Sequence, residues 1–130
     1  ATASGGYLSL YPASTTPTIQ LNGNTGSATF AGEVSSPNAC TAWVNFAGAS
    51  ETIRTNFNFS TITRSSAGKY KAYFTTPMDT GDYCASVVSN QNGAFIDGQT
   101  TDYIEVSTTD SNNARADATI VGITIFGGKN

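Results

Sequence analysis

From Cys40 to Val88 apolar residues return at every second position, in short runs broken by turn-forming clusters. Cys40, Ala42, Val44 and Phe46 fall on one side of the first run, Trp43 and Asn45 on the other. Ile53, Thr55, Phe57 and Phe59 alternate with Arg54, Asn56 and Asn58; Tyr70, Ala72 and Phe74 with Lys69, Lys71 and Tyr73; Tyr83, Ala85 and Val87 with Cys84, Ser86 and Val88. Successive side chains of an extended strand point to opposite faces, so each run reads as a half-buried strand. Gly48 and Ser50, Ser65–Gly68 and Pro77–Gly81 supply the turns between them. Further on come a polar loop at Ser89–Gly93, the short run Ala94–Ile96, a strand at Thr101–Val106, a loop at Asp110–Asn113 and a long β-branched run at Ala116–Phe126. No window carries a stripe of 3.6-residue period, the mark of an amphipathic helix. About seven antiparallel strands joined by short turns predict an all-β fold, an antiparallel β-sandwich or jelly-roll-like domain over residues 35–130. The closing run is apolar on both sides, with Ile120, Gly122 and Phe126 on one and Val121, Ile123 and Ile125 on the other. That pattern predicts a central strand or one lying under a subunit contact.

Residues 1–34 differ from the rest. The turn Asn22-Gly23-Asn24-Thr25-Gly26 joins Thr18–Leu21, which sets Ile19 and Leu21 on one face, to Ser27–Ala31, which sets Ala28 and Phe30 on one face. Turn chemistry and period predict a β-hairpin. Gly5-Gly6 and the cluster Ser35-Ser36-Pro37-Asn38 punctuate the segment at either side. So thin an apolar face is marginal alone. The extension therefore reads as a short stem that needs the following domain or other chains to cover it.

Charged residues make up only 12 % of the 130, at a net charge of −3. Arg54, Arg64, Lys69, Lys71, Arg115 and Lys129 are scattered and form no basic block, so no nucleic-acid partner is expected. No apolar run approaches the ~20 residues that span a bilayer as a helix, so no membrane insertion is expected. A surface polar without being ionic suits a virion or extracellular location. Residue 1 is not Met, and it reads as a processing site or a boundary inside a longer protein. Cys40 and Cys84 both fall in predicted strands, and an even count in such a chain favours a disulfide, the alternative being two buried free thiols. A bridge closing a loop of about 40 residues would add on the order of 4 kcal/mol.

There is no histidine. The commonest general base, the usual zinc ligand and the Ser–His and Cys–His pairs are thereby missing, and no enzyme, metal or cofactor is predicted. Nine carboxylates are present, but no motif pairs two of them as glycoside hydrolysis requires, and most sit in turns. Asp79-Thr80-Gly81-Asp82 and Asp110-Ser111-Asn112-Asn113 lack the spacing of a calcium loop and read as structural turns. Asn58-Phe59-Ser60 is a glycosylation sequon, without meaning in a bacterial host. Cys40, Trp43 and Cys84 suggest an immunoglobulin domain, but Trp43 shares a strand with Cys40 and Tyr83 adjoins Cys84, which breaks that pattern. Binding is the remaining chemistry. Trp43 is a candidate for stacking on a sugar ring, against ordinary sheet packing. The loop Asn90-Gln91-Asn92 with Phe95 is the candidate contact surface, because the ends of a sandwich carry its binding loops.

Several segments carry a family resemblance. Cys40-Thr41-Ala42-Trp43-Val44-Asn45-Phe46-Ala47-Gly48 resembles the A-W-V-N-F-x-G segment of bacteriophage tail-fibre proteins, particularly of phages of marine bacteria. Ile53-Arg54-Thr55-Asn56-Phe57-Asn58-Phe59-Ser60-Thr61-Ile62-Thr63 resembles the I-R-x-x-F-N-x-S-x-I-T segment that follows it there. Gly68, Tyr70, Phe74 and Met78 match a G-x-Y-x-x-x-F-x-x-x-M segment, with Tyr83 at the tyrosine beyond, and residues 19–32 resemble a stem repeat. The likeness covers roughly residues 17–88; Ala47 stands where Asn is usual, the loop at Ala49–Glu51 is compact, and residues 89–130 match no segment. It implies the C-terminal domain of a tail fibre, a homotrimer that attaches to a host-surface glycan or protein. The alternative is a structural subunit, a virion-decoration protein or a repeating unit of an open extracellular filament, with no receptor.

Overall fold

The computed structural model describes the backbone of residues 7–10, 19–22, 25, 27–30 and 39–129, with side chains at Thr25 and residues 39–129. The chain divides into two compact units, Ala1–Ser35 and Ser36–Asn130. No helix occurs among the described residues.

The first unit is a three-stranded antiparallel sheet of β1 (Tyr7–Leu10), β2 (Ile19–Asn22) and β3 (Ser27–Phe30), in the order β1-β2-β3. Ile19 pairs with Phe30 and Leu21 with Ala28, and β1, which the sequence reading did not assign, adds on the other side of β2. Gly5-Gly6, the turn residues Gly23, Asn24 and Gly26, and the Ser35–Asn38 cluster lie outside the described residues.

The second unit is a β-sandwich of two antiparallel four-stranded sheets. One runs β5 (Thr52–Phe57), β4 (Cys40–Ala47), β11 (Val121–Phe126), β8 (Cys84–Ser89). The other runs β6 (Phe59–Ser66), β7 (Lys69–Phe74), β10 (Tyr103–Thr109), β9 (Gly93–Gln99). The alternating residues Ala42, Val44, Phe46 of β4, Tyr70, Ala72, Phe74 of β7, Ile104 and Val106 of β10, and Val121, Ile123, Ile125 of β11 are all buried between the sheets. Phe46 meets Tyr70 edge to face at 5.4 Å, and Phe74 meets Tyr83 likewise at 5.8 Å. Each such side chain contributes ~1.5–3 kcal/mol relative to exposure, so stability resides between the layers. The two outer faces are left to other tasks.

Three details depart from the alternation. The expected continuous strand Ile53–Phe59 breaks at Asn58, whose φ of 57° turns the chain from one sheet into the other. Asn58 is a residue type that tolerates this conformation, and its side chain secures the corner: the amide donates to Thr41 O (3.4 Å) and Thr76 O (3.2 Å) and its oxygen accepts from Thr76 N (2.8 Å). Phe57 therefore faces outward while Phe59 is buried. The closing strand starts at Val121 rather than Ala116, and residues 114–120 form a strap held from a turn and from two strands. Gly48 N donates to Ala118 O at 2.9 Å, Thr108 Oγ1 to Ala116 O at 2.6 Å, and Arg54 Nη2 to Thr119 O at 2.7 Å. Finally, β10 runs on to Thr109, where the sequence pattern stopped at Val106.

A candidate contact surface on the outer face of one sheet

The outer face of β5-β4-β11-β8 is built from the residues that alternate with the core. Cross-strand partners form three rows. Phe57, Trp43, Thr124 and Ser86 make the first, and Thr55, Asn45, Gly122 and Val88 the second. The third holds Cys40, Phe126 and Cys84. Cys40 reaches this face through a bulge: Ile125 pairs with Ala42 but Phe126 pairs with Cys40, so Thr41 is the extra residue. The buried Thr41 is held there, its Oγ1 at 2.7 Å from Gly127 O. A second bulge, at Arg54, lets its guanidinium reach along the sheet to Asn45 Oδ1 (3.2 Å).

The rows leave large apolar groups in water. Trp43 is 37 % exposed, Phe57 44 %, Phe126 42 % and Val88 62 %. Between them runs a groove of about 410 Å³ lined by Trp43, Asn45, Ser86, Val88, Gly122 and Phe126. Its hollow exists because Gly122 has no side chain; a Cβ there would stand 3.0 Å from Val88 Cγ2. The hydroxyls of Ser86 and Thr124 and the amide nitrogen of Asn45 have no hydrogen-bond partner among the described residues, so they are open to a ligand. The volume falls within the ~300–1,000 Å³ usual for small-ligand sites.

The outer face of the other sheet is occupied with itself. Lys69 pairs with Glu105 at 3.0 Å, Lys71 stands 4.6 Å above the Tyr103 ring, and Tyr73 packs against Tyr103 at 5.4 Å. Asp97 accepts from Ser107 (3.1 Å) and pairs with Arg115 (3.2 Å).

The five residues singled out from the sequence do not form one site. Trp43 lies in the groove. Phe95 is 52 % exposed, but it is the cross-strand partner of Ser107 on the other sheet and faces away from the sandwich on the opposite side. Asn90 and Gln91 are clamps. Asn90 Nδ2 donates to Thr119 Oγ1 (2.7 Å), its Oδ1 accepts from Ile120 N (3.0 Å), and Gln91 Nε2 donates to Asp117 O (2.9 Å), so both fasten the loop to the strap. Asn92 is exposed at the tip of that loop. Phe57, Phe126, Val88 and Gly122, which the sequence reading did not single out, belong to the same outer face. Alternation sets Phe57 on one face with Ile53 and Phe59, but the bulge at Arg54 turns Phe57 away from the side of Ile53 and the corner at Asn58 separates it from Phe59. A glycine in the middle of a β-branched strand, by contrast, was a usable signal.

The expected Cys40–Cys84 bridge is corrected by the register. Both thiols are free. Both residues pair with Phe126, one from each side of β11, so a whole strand separates them. Two inter-strand steps put their Cα atoms ~10 Å apart, beyond the ~7 Å a disulfide can span.

Asp117 and Asp110 serve local structure. The Arg64 guanidinium grips Asp117 with Nε at 2.8 Å from Oδ1 and Nη2 at 2.7 Å from Oδ2, while Gly68 N (2.8 Å) and Tyr70 OH (3.0 Å) also donate to Oδ1. The hydrogen bond from Arg64, more than the two others, pulls the Asp117 carboxyl down to about 2 against the opposing effect of burial. Arg64 is correspondingly raised, chiefly by its hydrogen bond to Asp117. Burial raises the Tyr70 phenol and pushes that of Tyr83 up to about 12. Asp110 Oδ1 accepts from Asn112 N (2.8 Å) and Ala114 N (3.0 Å), an Asx turn. Asn58, the sequon residue, has its amide engaged at the corner between the sheets. Compared with family models, with curated proteins and with solved structures, the chain gives no significant match in any of the three.

Proposed function

We propose that this chain is the attachment end of a bacteriophage tail fibre, a self-associated and non-catalytic β-sandwich that holds a host-surface glycan or protein. The observation that carries the reading is the groove on the outer face of β5-β4-β11-β8, where exposed aromatic rings lie beside polar groups that have no partner among the described residues. Patches of this kind on an otherwise polar protein mark interaction sites. The resemblance of residues 17–88 to tail-fibre segments supplies the setting, and the core positions of Tyr70, Phe74, Met78 and Tyr83 accord with their role there as markers of the fold.

Self-association, as a homotrimer, is supported by the first unit. Its strands are four residues long, and its register aligns Leu8 with Leu21 and Ala28, and Leu10 with Ile19 and Phe30. Three strands of four residues lie at the lower limit of independent stability in water, and neighbouring copies would add the missing cover. Glu33 is the only side chain in residues 1–35 that carries a charge at neutral pH, so copies brought together meet little repulsion.

The test is retention of the labelled protein by a panel of bacteria, with light scattering on the same sample. A trimer retained by some strains, with retention lost in Trp43→Ala and kept in Phe95→Ala, is the expected result. A monomer at micromolar concentration contradicts the assembly. An open polymer retained by no strain points to the structural-subunit reading instead.

A further inference from the structure

The groove is not a general apolar patch, and its chemistry narrows the ligand. We propose that it takes a neutral glycan segment, stacked on Trp43 and laid across the strands toward Ser86; this rests on the attachment reading above.

Three observations converge. The first row runs Phe57, Trp43, Thr124, Ser86 across four neighbouring strands, so two aromatic rings are followed by two free hydroxyls at successive inter-strand steps. A hexose ring has the matching halves, a C–H face that packs on an aromatic ring and a rim of hydroxyls that donate and accept. The step from Trp43 to Ser86 covers ~10 Å, the scale of a sugar ring and its neighbour. Next to this row Gly122 opens a hollow, with the Asn45 amide on one side and Val88 on the other, so one ring can sink below the level of its neighbours.

The second observation is charge. No carboxylate belongs to the three rows, and the cation beside them, Arg54, is engaged: its guanidinium donates to Asn45 Oδ1, Phe46 O and Thr119 O. Within the three rows no cation offsets the desolvation of a uronate, a sulfate or a charged peptide side chain, and the Arg54 charge stands beside them with Nη1 and Nη2 already donating to neutral oxygens. A neutral ligand incurs no such cost.

The third observation decides between a sugar and a second copy of the chain. Whatever covers these rows must offer hydrogen-bond partners to Ser86, Thr124 and Asn45, and an apolar face of a second copy would leave all three buried without any, which is costly. A polyhydroxylated ligand supplies partners for all three.

The experiment uses the intact protein on an array of neutral gluco-, galacto- and manno-oligosaccharides printed beside uronate-bearing, sulfated and sialylated ones. In parallel, neutral polysaccharide extracted from any bacterium that retains the protein is used as competitor. Expected are binding to neutral glycans only, competition by the extract, an affinity that changes less than twofold between low and high salt, and a loss of at least tenfold in Trp43→Ala. Phe126→Ala should weaken binding as well, whereas Phe95→Ala should leave it unchanged. Preference for an acidic glycan, steep salt dependence, or unaltered binding by both Trp43→Ala and Phe126→Ala overturns the proposal. Retention on cells that Trp43→Ala abolishes but no neutral extract competes for means a protein receptor in the same groove; the glycan proposal then fails and attachment stands. No retention on any cell, with no glycan bound, sinks attachment itself.

Discussion

Tyr70, the largest side chain wholly buried in the core, ends with its hydroxyl 3.0 Å from Asp117 Oδ1. One hydroxyl thus links the centre of the sandwich to the strap that leads into β11. Ala118 N donates to the same oxygen at 3.3 Å, so the phenol is fixed from both sides.

That linkage makes stability depend on acid in a defined window. In the folded chain Asp117 titrates near 2, against an ordinary 3.8. Its charge therefore stabilises the fold fully above about pH 4, and the contribution is lost as pH falls through 2. The difference in unfolding free energy between the wild type and Asp117→Asn should shrink by on the order of 1–2 kcal/mol from pH 6 to pH 2, a figure reduced for the water contact both partners keep. Urea denaturation at stepped pH measures it. A difference that stays constant with pH would show that Asp117 is not held as described.

Cys40 and Cys84 should behave as independent thiols. The reagent-accessible Cys84 should react quickly and the half-buried Cys40 more slowly, and a reducing agent should leave the melting temperature unchanged. A drop on reduction would restore the bridge and refute the register of β4 and β8 on β11.

Two glycines with positive φ should respond differently to alanine. At Gly68 (φ +66°) a Cβ would meet Thr108 O at 2.5 Å and Ala116 N at 2.6 Å, both backbone. Gly68→Ala should cost roughly 2–4 kcal/mol, through the left-handed backbone and the displaced strap together. At Gly127 (φ +77°) nothing lies within 4 Å, and Gly127→Ala should cost only about 1–2 kcal/mol. Equal losses in chemical denaturation would contradict the packing around Gly68.

Asn90 should matter to the strap and not to binding. Asn90→Ala removes its two side-chain bonds to the strap, those with Thr119 Oγ1 and the Ile120 amide. Stability should fall by about 1–2 kcal/mol, and the Ile120 amide should exchange its hydrogen faster, with retention on cells unaffected. Loss of retention with no change in exchange would return the loop to the list of contact residues.

Most of the sandwich was legible because burial between two sheets enforces a period of two. The runs at Ala42–Ala47, Lys69–Phe74 and Cys84–Ser89 follow it residue by residue. What escaped was local. The break at Asn58 depends on a positive φ supported by Thr41 and Thr76, distant in sequence. The bulge at Thr41 moves Cys40 to the outer face, which alternation alone assigns to the core. Ala116–Ile120 has the composition of a strand but spends its carbonyls on Gly48, Arg54, Gln91 and Thr108. The proposed contact face was half legible, through Trp43; its other members depend on which strands become neighbours, and no local pattern encodes that.

Trp43 is the only tryptophan of the chain, so its emission reports on the groove alone. Adding surface polysaccharide from a retaining bacterium should shift that emission to shorter wavelength and protect it from acrylamide quenching, with the same midpoint as binding measured by calorimetry. Binding that saturates in the calorimeter while Trp43 emission and quenching stay unchanged would place the contact surface elsewhere on the molecule.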